Sequence, residues 1–400
     1  NDISAGYRRG MYLDKIAGYM ENNLVKVLTG QRRAGKSYIL RQMVMDMVRK
    51  GINAENIFYI SKEFTAFDFL QTYKDLDNLI EDYRYEFHPE GKTYIFIDEI
   101  QNIEGWERTV NSLSQDFSWP CEVFISGSNS NMLSGELASF TEWASIHSKG
   151  FTRNDYTEFL VRSGLPEMIY LGTEEVCRNY VSSLKDTILL RDVINRHKIR
   201  DANTLEDLFV YVVNNATKLF TPNTIVKYYK GRGKTINYDT VTSYLSFMTE
   251  TYIIHKAERY NIQGKETISG NCKYYVNDLA FYNYLYKGFA YGHGYELENL
   301  VYLELRRAGY DVYVGNIPST RTGTQVEVDF VAVKGDERIY VQVAYEINDE
   351  ATLAREYGSL EMIDDNYPKY IVTLDQQKLP NKDGIKHIQA WNFENELSRL

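Results

Sequence analysis

Long apolar runs are missing from these 400 residues. No stretch approaches the ~18–20 apolar residues of a membrane-spanning helix, and the first residues, NDISAGYRRG, lack the apolar core of a secretory signal. Cysteine is scarce. Cys121, Cys177 and Cys272 are odd in number, widely spaced and without nearby histidines, which argues against a disulfide framework or a zinc site and for buried packing. A surplus of positive charge is also lacking: the formal net charge of −10 argues against a general nucleic-acid coat, although local basic patches can still bind DNA. These absences predict a cytoplasmic protein with no membrane partner. What is present, 44% hydrophobic and 25% charged residues, is ordinary for a folded chain of roughly two to four domains.

Residues 24–37, LVKVLTGQRRAGKS, are the stretch around which the rest is organised. The spacing G-x-x-x-x-G-K-S runs from Gly30 to Ser37, after the apolar run Leu24, Val25, Val27, Leu28 and before a periodic segment over 38–50. Strand, loop and helix in that order are the context of a phosphate-binding loop. Gly30 and Gly35 let backbone N–H groups wrap phosphates, Lys36 reaches the terminal phosphate oxygens, and Ser37 ligates Mg²⁺. Gln31, Arg32, Arg33, Ala34 and Tyr38 complete the expected nucleotide-binding set, with ATP and Mg²⁺ as cofactors.

The surrounding pattern is alternating strand and helix. Tyr12, Leu13, Ile16, Ala17 and Met20 form a helical lead-in expected beside the nucleotide site, and Ile39, Leu40, Met43, Val44 and Met47 predict a helix with one buried face. A strand over 57–61 and a helical region over 69–85 follow, which argues for a parallel sheet covered on both faces. In TYIFIDEIQ, residues 93–101, an apolar strand ends on Asp98 and Glu99. Asp98 is expected to hold Mg²⁺ and Glu99 to orient the attacking water as a catalytic group beside Lys36. An Asp-Glu pair alone is as well a solvated turn; a phosphate loop upstream favours the chemical reading. A helix lined by Trp106, Val110, Leu113 and Phe117 leads to CEVFISGSNS, residues 121–130, another buried strand. Ser126, Ser128 or Asn129 at its end can sense a terminal phosphate, and capping and turn chemistry account equally well for such residues.

The strings YLDKI, GQRRAGKS, IDEIQ with Trp106, SGSNSNMLSGELAS, GLPEM, LKDTILLRDVINRHKIRD, LENLVYLELRRAGYDVYVG and VEVDFVAV resemble a large family of prokaryotic AAA-type ATPases with a C-terminal domain of unknown function. The resemblance covers almost the whole chain. It implies a nucleotide and magnesium site at Gly30, Lys36, Ser37, Asp98 and Glu99, with a phosphate sensor at Ser128 and Asn129. One departure stands out: where the family usually continues to Gly-Arg-Tyr, this chain has Thr141, Glu142, Trp143, Ala144, Ser145. A charge-neutralising arginine is missing there, so ATP binding is better supported than fast hydrolysis. Arg153, Arg191 and Arg196 are substitutes by type, and surface charges by the plainer reading.

The expected architecture is α/β and multidomain: an AAA-type P-loop ATPase domain with an αβα parallel sheet over 1–150, a helical lid or connector over 151–200, a winged helix-turn-helix module over 201–262, and a degenerate restriction-endonuclease-like α/β domain over 263–400. Three short helices followed by an apolar strand over 252–255 suggest the winged helix, which the resemblance also implies. Lys218, Lys227, Lys230, Arg232 and Lys234 make a basic edge for double-stranded DNA, yet the expected recognition helix offers only Tyr238, Thr242, Ser243 and Ser246. Protein contact is the equal alternative. The C-terminal order of helix, three strands, helix and strand is similar to the restriction-endonuclease core. Its acidic positions match Glu298 or Glu304, of which Glu304 is taken, then Asp329 and Gln342, with Ala344 where a lysine belongs.

Three functions are therefore expected in order: an ATPase that rearranges C-terminal DNA- or protein-binding modules, a nucleotide-gated binding module with little turnover, and an ATP-dependent nuclease. A protein partner or self-association is open in each.

Overall fold

The computed structural model describes residues 6, 8–21, 24–116, 118–128, 136–137, 152–162, 164–286, 294–318 and 325–400. The chain forms two compact units, Asn1–Ile146 and His147–Leu400.

In the first unit, β1 (Lys26–Gly30), β2 (Ile57–Ser61), β3 (Thr93–Asp98), β4 (Cys121–Gly127) and β5 (Glu136–Leu137) make one five-stranded sheet in the order β2-β3-β4-β1-β5. Every pairing in it is parallel. The strands are mostly apolar because both faces are covered. Phe96 and Phe124 stack at 4.7 Å on one face, against α1 (Gly10–Ala17) and α2 (Lys36–Arg49), through Leu13, Ile39, Leu40 and Met43. Ile95, Ile97, Val123 and Ile125 alternate to the other face, where α3 (Tyr73–Phe87) and α4 (Glu107–Gln115) supply Leu76, Ile80 and Val110. The expected αβα sandwich is thus present, and all connections place the C-terminal ends of β1, β3 and β4 together. At the other end of β4, the buried Glu122 carboxylate sits between Lys26 at 2.6 Å and Lys92 at 2.5 Å.

The second unit begins with α5 (Arg153–Arg162), a 3-10 turn and α6 (Glu174–Thr187), which runs into a π-helical stretch at Ile188–Asn195. Three helices follow: α7 (Ala202–Asn214), α8 (Pro222–Gly231) and α9 (Tyr238–Glu250). Each opens on a side-chain cap: Asp201 accepts from the Thr204 N–H, Thr221 from that of Thr224, and Asn237 from that of Thr240. The next strand begins at Ile254 rather than Tyr252, because Tyr252 takes a left-handed turn (φ 57°).

That strand, β6 (Ile254–Asn261), forms a hairpin with β7 (Glu266–Val276). Beyond α10 (Ala280–Leu285) and α11 (Gly294–Arg307) come β8 (Asp311–Pro318), β9 (Gln325–Lys334), β10 (Glu337–Ala344), α12 (Glu350–Glu361), β11 (Lys369–Thr373), β12 (Ile385–Gln389) and α13 (Phe393–Leu397). The hairpin is no separate wing. β6 pairs in parallel with β8, so one seven-stranded sheet runs β12-β11-β10-β9-β8-β6-β7. β9 runs antiparallel to both β8 and β10, while β11 pairs with β10 and β12 with β11 in parallel. Among the described residues no helix is long and apolar enough to cross a membrane.

Candidate functional site

The loop between β1 and α2 is built as its glycines predict. Gly30 (φ 152°) and Gly35 (φ 84°) hold conformations that disfavour a Cβ, and Gly35 begins α2 with no side-chain cap and no acidic residue in the first turn. The helix N-terminus therefore offers its N–H groups and positive dipole end to an anion. The Lys36 ammonium, 3% exposed, donates to the Gly30 and Gln31 carbonyls, both at 3.1 Å. Gln31 and Ala34 are buried, Ser37 is half-buried, and Arg33 and Tyr38 are exposed. Arg32 pairs with Glu63 at 2.7 Å.

Asp98 and Glu99 arrive at this loop from the end of β3. Asp98 is 1% exposed and accepts from the hydroxyls of Ser61, at 3.1 Å, and Ser126. Ser126 in turn accepts the Glu99 N–H at 3.1 Å, so one serine on β4 orients both acidic residues. Ser126 thus holds the acidic pair, and Ser128 is the residue of this segment turned toward Gln101. Glu99 has left-handed backbone (φ 58°), which brings its carboxylate 3.6 Å from the Lys36 ammonium. Burial opposes its ionisation, but the charges of Lys36 and Arg32 and a hydrogen bond from Gln101 outweigh it and hold the pKa below the usual carboxylate value.

Two further residues at this site carried little signal in the sequence. Gln101 uses one amide nitrogen to reach the Glu99 carboxylate at 2.5 Å and the Ser128 hydroxyl at 3.3 Å. It stood inside the DEIQ string, and only its position two residues past Glu99 hinted at a role. Arg9, 1% exposed, donates to the Ala34 carbonyl at 2.7 Å, and its guanidinium lies where a Cβ on residue 35 would be, at 2.1 Å. Nothing in the spacing of the lead-in pointed to it. Asn129 and the 141–145 segment lie outside the described residues.

A second polar cluster lies in the C-terminal unit. Lys273 of β7 is 2.9 Å from Glu298, 2.7 Å from Glu327 and 3.7 Å from Asp329. The expected acidic position on α11 needs correction. Glu304 instead accepts from the Tyr156 hydroxyl at 3.0 Å, and burial raises its pKa to about 8, against the lowering charge of Arg307. The residue that shares a cation with Asp329 is Glu298, one helical face away. Gln342 accepts the Asp329 N–H at 3.2 Å and donates to Glu356 at 2.9 Å. Ala344 brings no cation to Asp329, and the ammonium nearest it in this cluster is that of Lys273 on β7. Arg153, a candidate arginine by type, is bound to Glu346 at 2.5 Å and to the Leu374 carbonyl.

Around α8 and α9, Lys218, Lys227, Lys230, Arg232 and Lys234 are exposed, as are Tyr238, Thr242, Ser243 and Ser246. The edge is less basic than it reads, since Lys234 pairs with Asp207 and Arg232 lies 4.3 Å above the Tyr228 ring.

Comparison with known proteins divides the chain into three matches: an AAA domain over 22–145, a domain of unknown function (DUF8612) over 153–291 and another (DUF4143) over 293–393. An uncharacterized protein of Haemophilus influenzae is 31% identical, with 95% of this chain and 96% of that protein covered. An uncharacterized protein of Methanocaldococcus jannaschii is 28% identical over 85% of this chain and 78% of its own length. Among solved structures, a Walker-type ATPase of Pyrococcus abyssi aligns with a TM-score of 0.45 at 13% identity, covering 69% of this chain and 94% of that one. The chain belongs to the family of the Haemophilus influenzae protein, and its N-terminal domain is an AAA-type P-loop ATPase domain.

Proposed function

We propose that the protein is a Mg²⁺-dependent ATPase whose nucleotide cycle rearranges C-terminal modules that bind DNA or a protein. The observation that carries the reading is the placement of Lys36, on neutral backbone carbonyls and 3.6 Å from Glu99, above an uncapped helix N-terminus. The donors fit a nucleotide with its metal: Ser37 and the serine-held Asp98 would hold Mg²⁺, which when bound neutralises phosphate charge. Lys36 would exchange its carbonyl partners for phosphate oxygens, Glu99 would orient water, and Ser128 with Asn129 would report the terminal phosphate through Gln101. Residues 30–38 line the nucleotide.

For the C-terminal half we infer a winged helix-turn-helix over 201–262 and a degenerate restriction-endonuclease-like domain over 263–400, after a connector over 151–200 and an ATPase domain over 1–150. Three capped helices in succession support the helix-turn-helix of the first, and its strand β6 is shared with the C-terminal sheet. The order α11, β8, β9, β10, α12, β11, with β10 and β11 parallel, supports the second. A nucleotide-gated module with slow turnover is the alternative, favoured by the missing Gly-Arg-Tyr at Thr141–Ser145. Steady-state ATP hydrolysis with and without double-stranded DNA, using Lys36→Ala as the blank, separates the two. DNA-stimulated turnover supports the coupled ATPase; tight ATP binding with negligible turnover supports the gated module.

A further inference from the structure

Three carboxylates converge on a single buried lysine in the C-terminal unit, and that arrangement has a precise chemical analogue. Glu298 comes from α11, Glu327 and Asp329 from β9, and Lys273 reaches them from the outermost strand of the sheet. Carboxylates from a helix and a strand that meet at one point are the kind of oxygen donors that hard divalent cations take. Here the point is taken by an ammonium, which carries three N–H donors and no acceptor.

Two of the three carboxylates also accept other hydrogen bonds. The Tyr275 hydroxyl donates to Glu298 at 2.9 Å, and the Val343 N–H donates to Asp329 at 2.8 Å. Gln342 accepts the Asp329 N–H and donates to Glu356 at once, which an ionised carboxylate, having no donor, cannot do. The separation fits nitrogen rather than metal. The carboxylate oxygens stand 2.7 to 3.7 Å from the ammonium, against about 2.1 Å for oxygen ligands of Mg²⁺. Among the described residues no group of three or more His, Cys, Asp or Glu is spaced to hold a metal.

We propose that the Lys273 ammonium takes the place of a divalent cation among Glu298, Glu327 and Asp329, so that the cluster is balanced by the chain's own charge and, as it stands, holds no metal. The domain then keeps the shape of a metal-dependent hydrolase while needing no metal to hold it. This inference concerns the C-terminal unit and is independent of nucleotide binding.

The test is Mn²⁺ titration of the nucleotide-free full-length protein by calorimetry and electron paramagnetic resonance. The wild type should give the same Mn²⁺ signal as Asp329→Asn. Lys273→Ala should gain a Mn²⁺ site, with a melting temperature about 4 °C or more higher in saturating Mn²⁺, and Lys273→Ala/Asp329→Asn should lose it. If Lys273→Ala is unfolded without metal, recovery of its melting transition in Mn²⁺ is the same result. Wild-type Mn²⁺ binding that Asp329→Asn abolishes overturns the proposal, as does Lys273→Ala that neither binds nor responds to Mn²⁺.

Discussion

Lys36 and Lys273 are equally buried, each 3% exposed, but they have different kinds of partner. Lys36 donates to two backbone carbonyls and faces one carboxylate at 3.6 Å. Lys273 faces three carboxylates at 2.7 to 3.7 Å. Charge-assisted hydrogen bonds are about twice as strong as neutral ones, so an incoming phosphate can draw Lys36 from its carbonyls while no ordinary anion can draw Lys273 from its cluster. Burial alone therefore does not mark a functional lysine. The charge of its partners does, and it separates a lysine that can change partners from one that cannot.

The comparison is broken or sharpened by four substitutions. Lys36→Ala has the largest expected effect: on the proposed reading, ATP turnover falls by about 10³-fold. Unchanged turnover would remove Lys36 from the chemistry. Glu99→Gln should lower turnover by about 10²-fold and leave ATP affinity within a few-fold, read by single-turnover kinetics and calorimetry. Equal loss of both would make Glu99 a structural partner of Lys36.

Gln101→Ala is the third. Its amide helps keep Glu99 ionised, so removing it raises the Glu99 pKa. The acid limb of the turnover-against-pH curve should shift to higher pH, with a drop of about tenfold at neutral pH. A purely structural glutamine would lower the rate without moving that limb.

Glu304→Gln has the smallest effect and is read in stability. The folded carboxyl titrates at about 8, above its unfolded value, because burial outweighs the favourable charge of Arg307. The folded state thus holds a proton that the unfolded state releases, and its stabilising contribution is full below pH ~4.5 and lost as pH rises toward about 8. Melting temperature should fall between pH 5.5 and 8 in the wild type and fall less in Glu304→Gln. Identical slopes would place the carboxyl in a more polar setting.

The sequence made the first unit largely legible because its signals are local. Gly30, Lys36 and Ser37 lie within one loop, and Asp98 and Glu99 end a strand that is apolar on both faces. Residues that act across distance left no such mark. Arg9 reaches Ala34, and Lys273 reaches Asp329, only after separate strands and helices have assembled. Periodicity reports which face of an element is buried, and says nothing of which distant side chain meets it. Glu304 and Glu298 show the limit well, since both sit on α11 and only the neighbours from α5 and β7 distinguish them. β12 escaped notice because its residues Lys386 and Gln389 break the apolar run around Ile385 and Ile388.

The parallel pairing of β6 with β8 carries a consequence for how this chain can be divided. Cutting it at 262/263 would strip β8 of its neighbour and leave a row of backbone N–H and C=O groups facing solvent. Such a naked edge invites pairing with other molecules, so a fragment starting there would tend to aggregate. It would also leave β7 without its hairpin partner, and Lys273 with it. The hairpin is thus the selvedge of the C-terminal sheet.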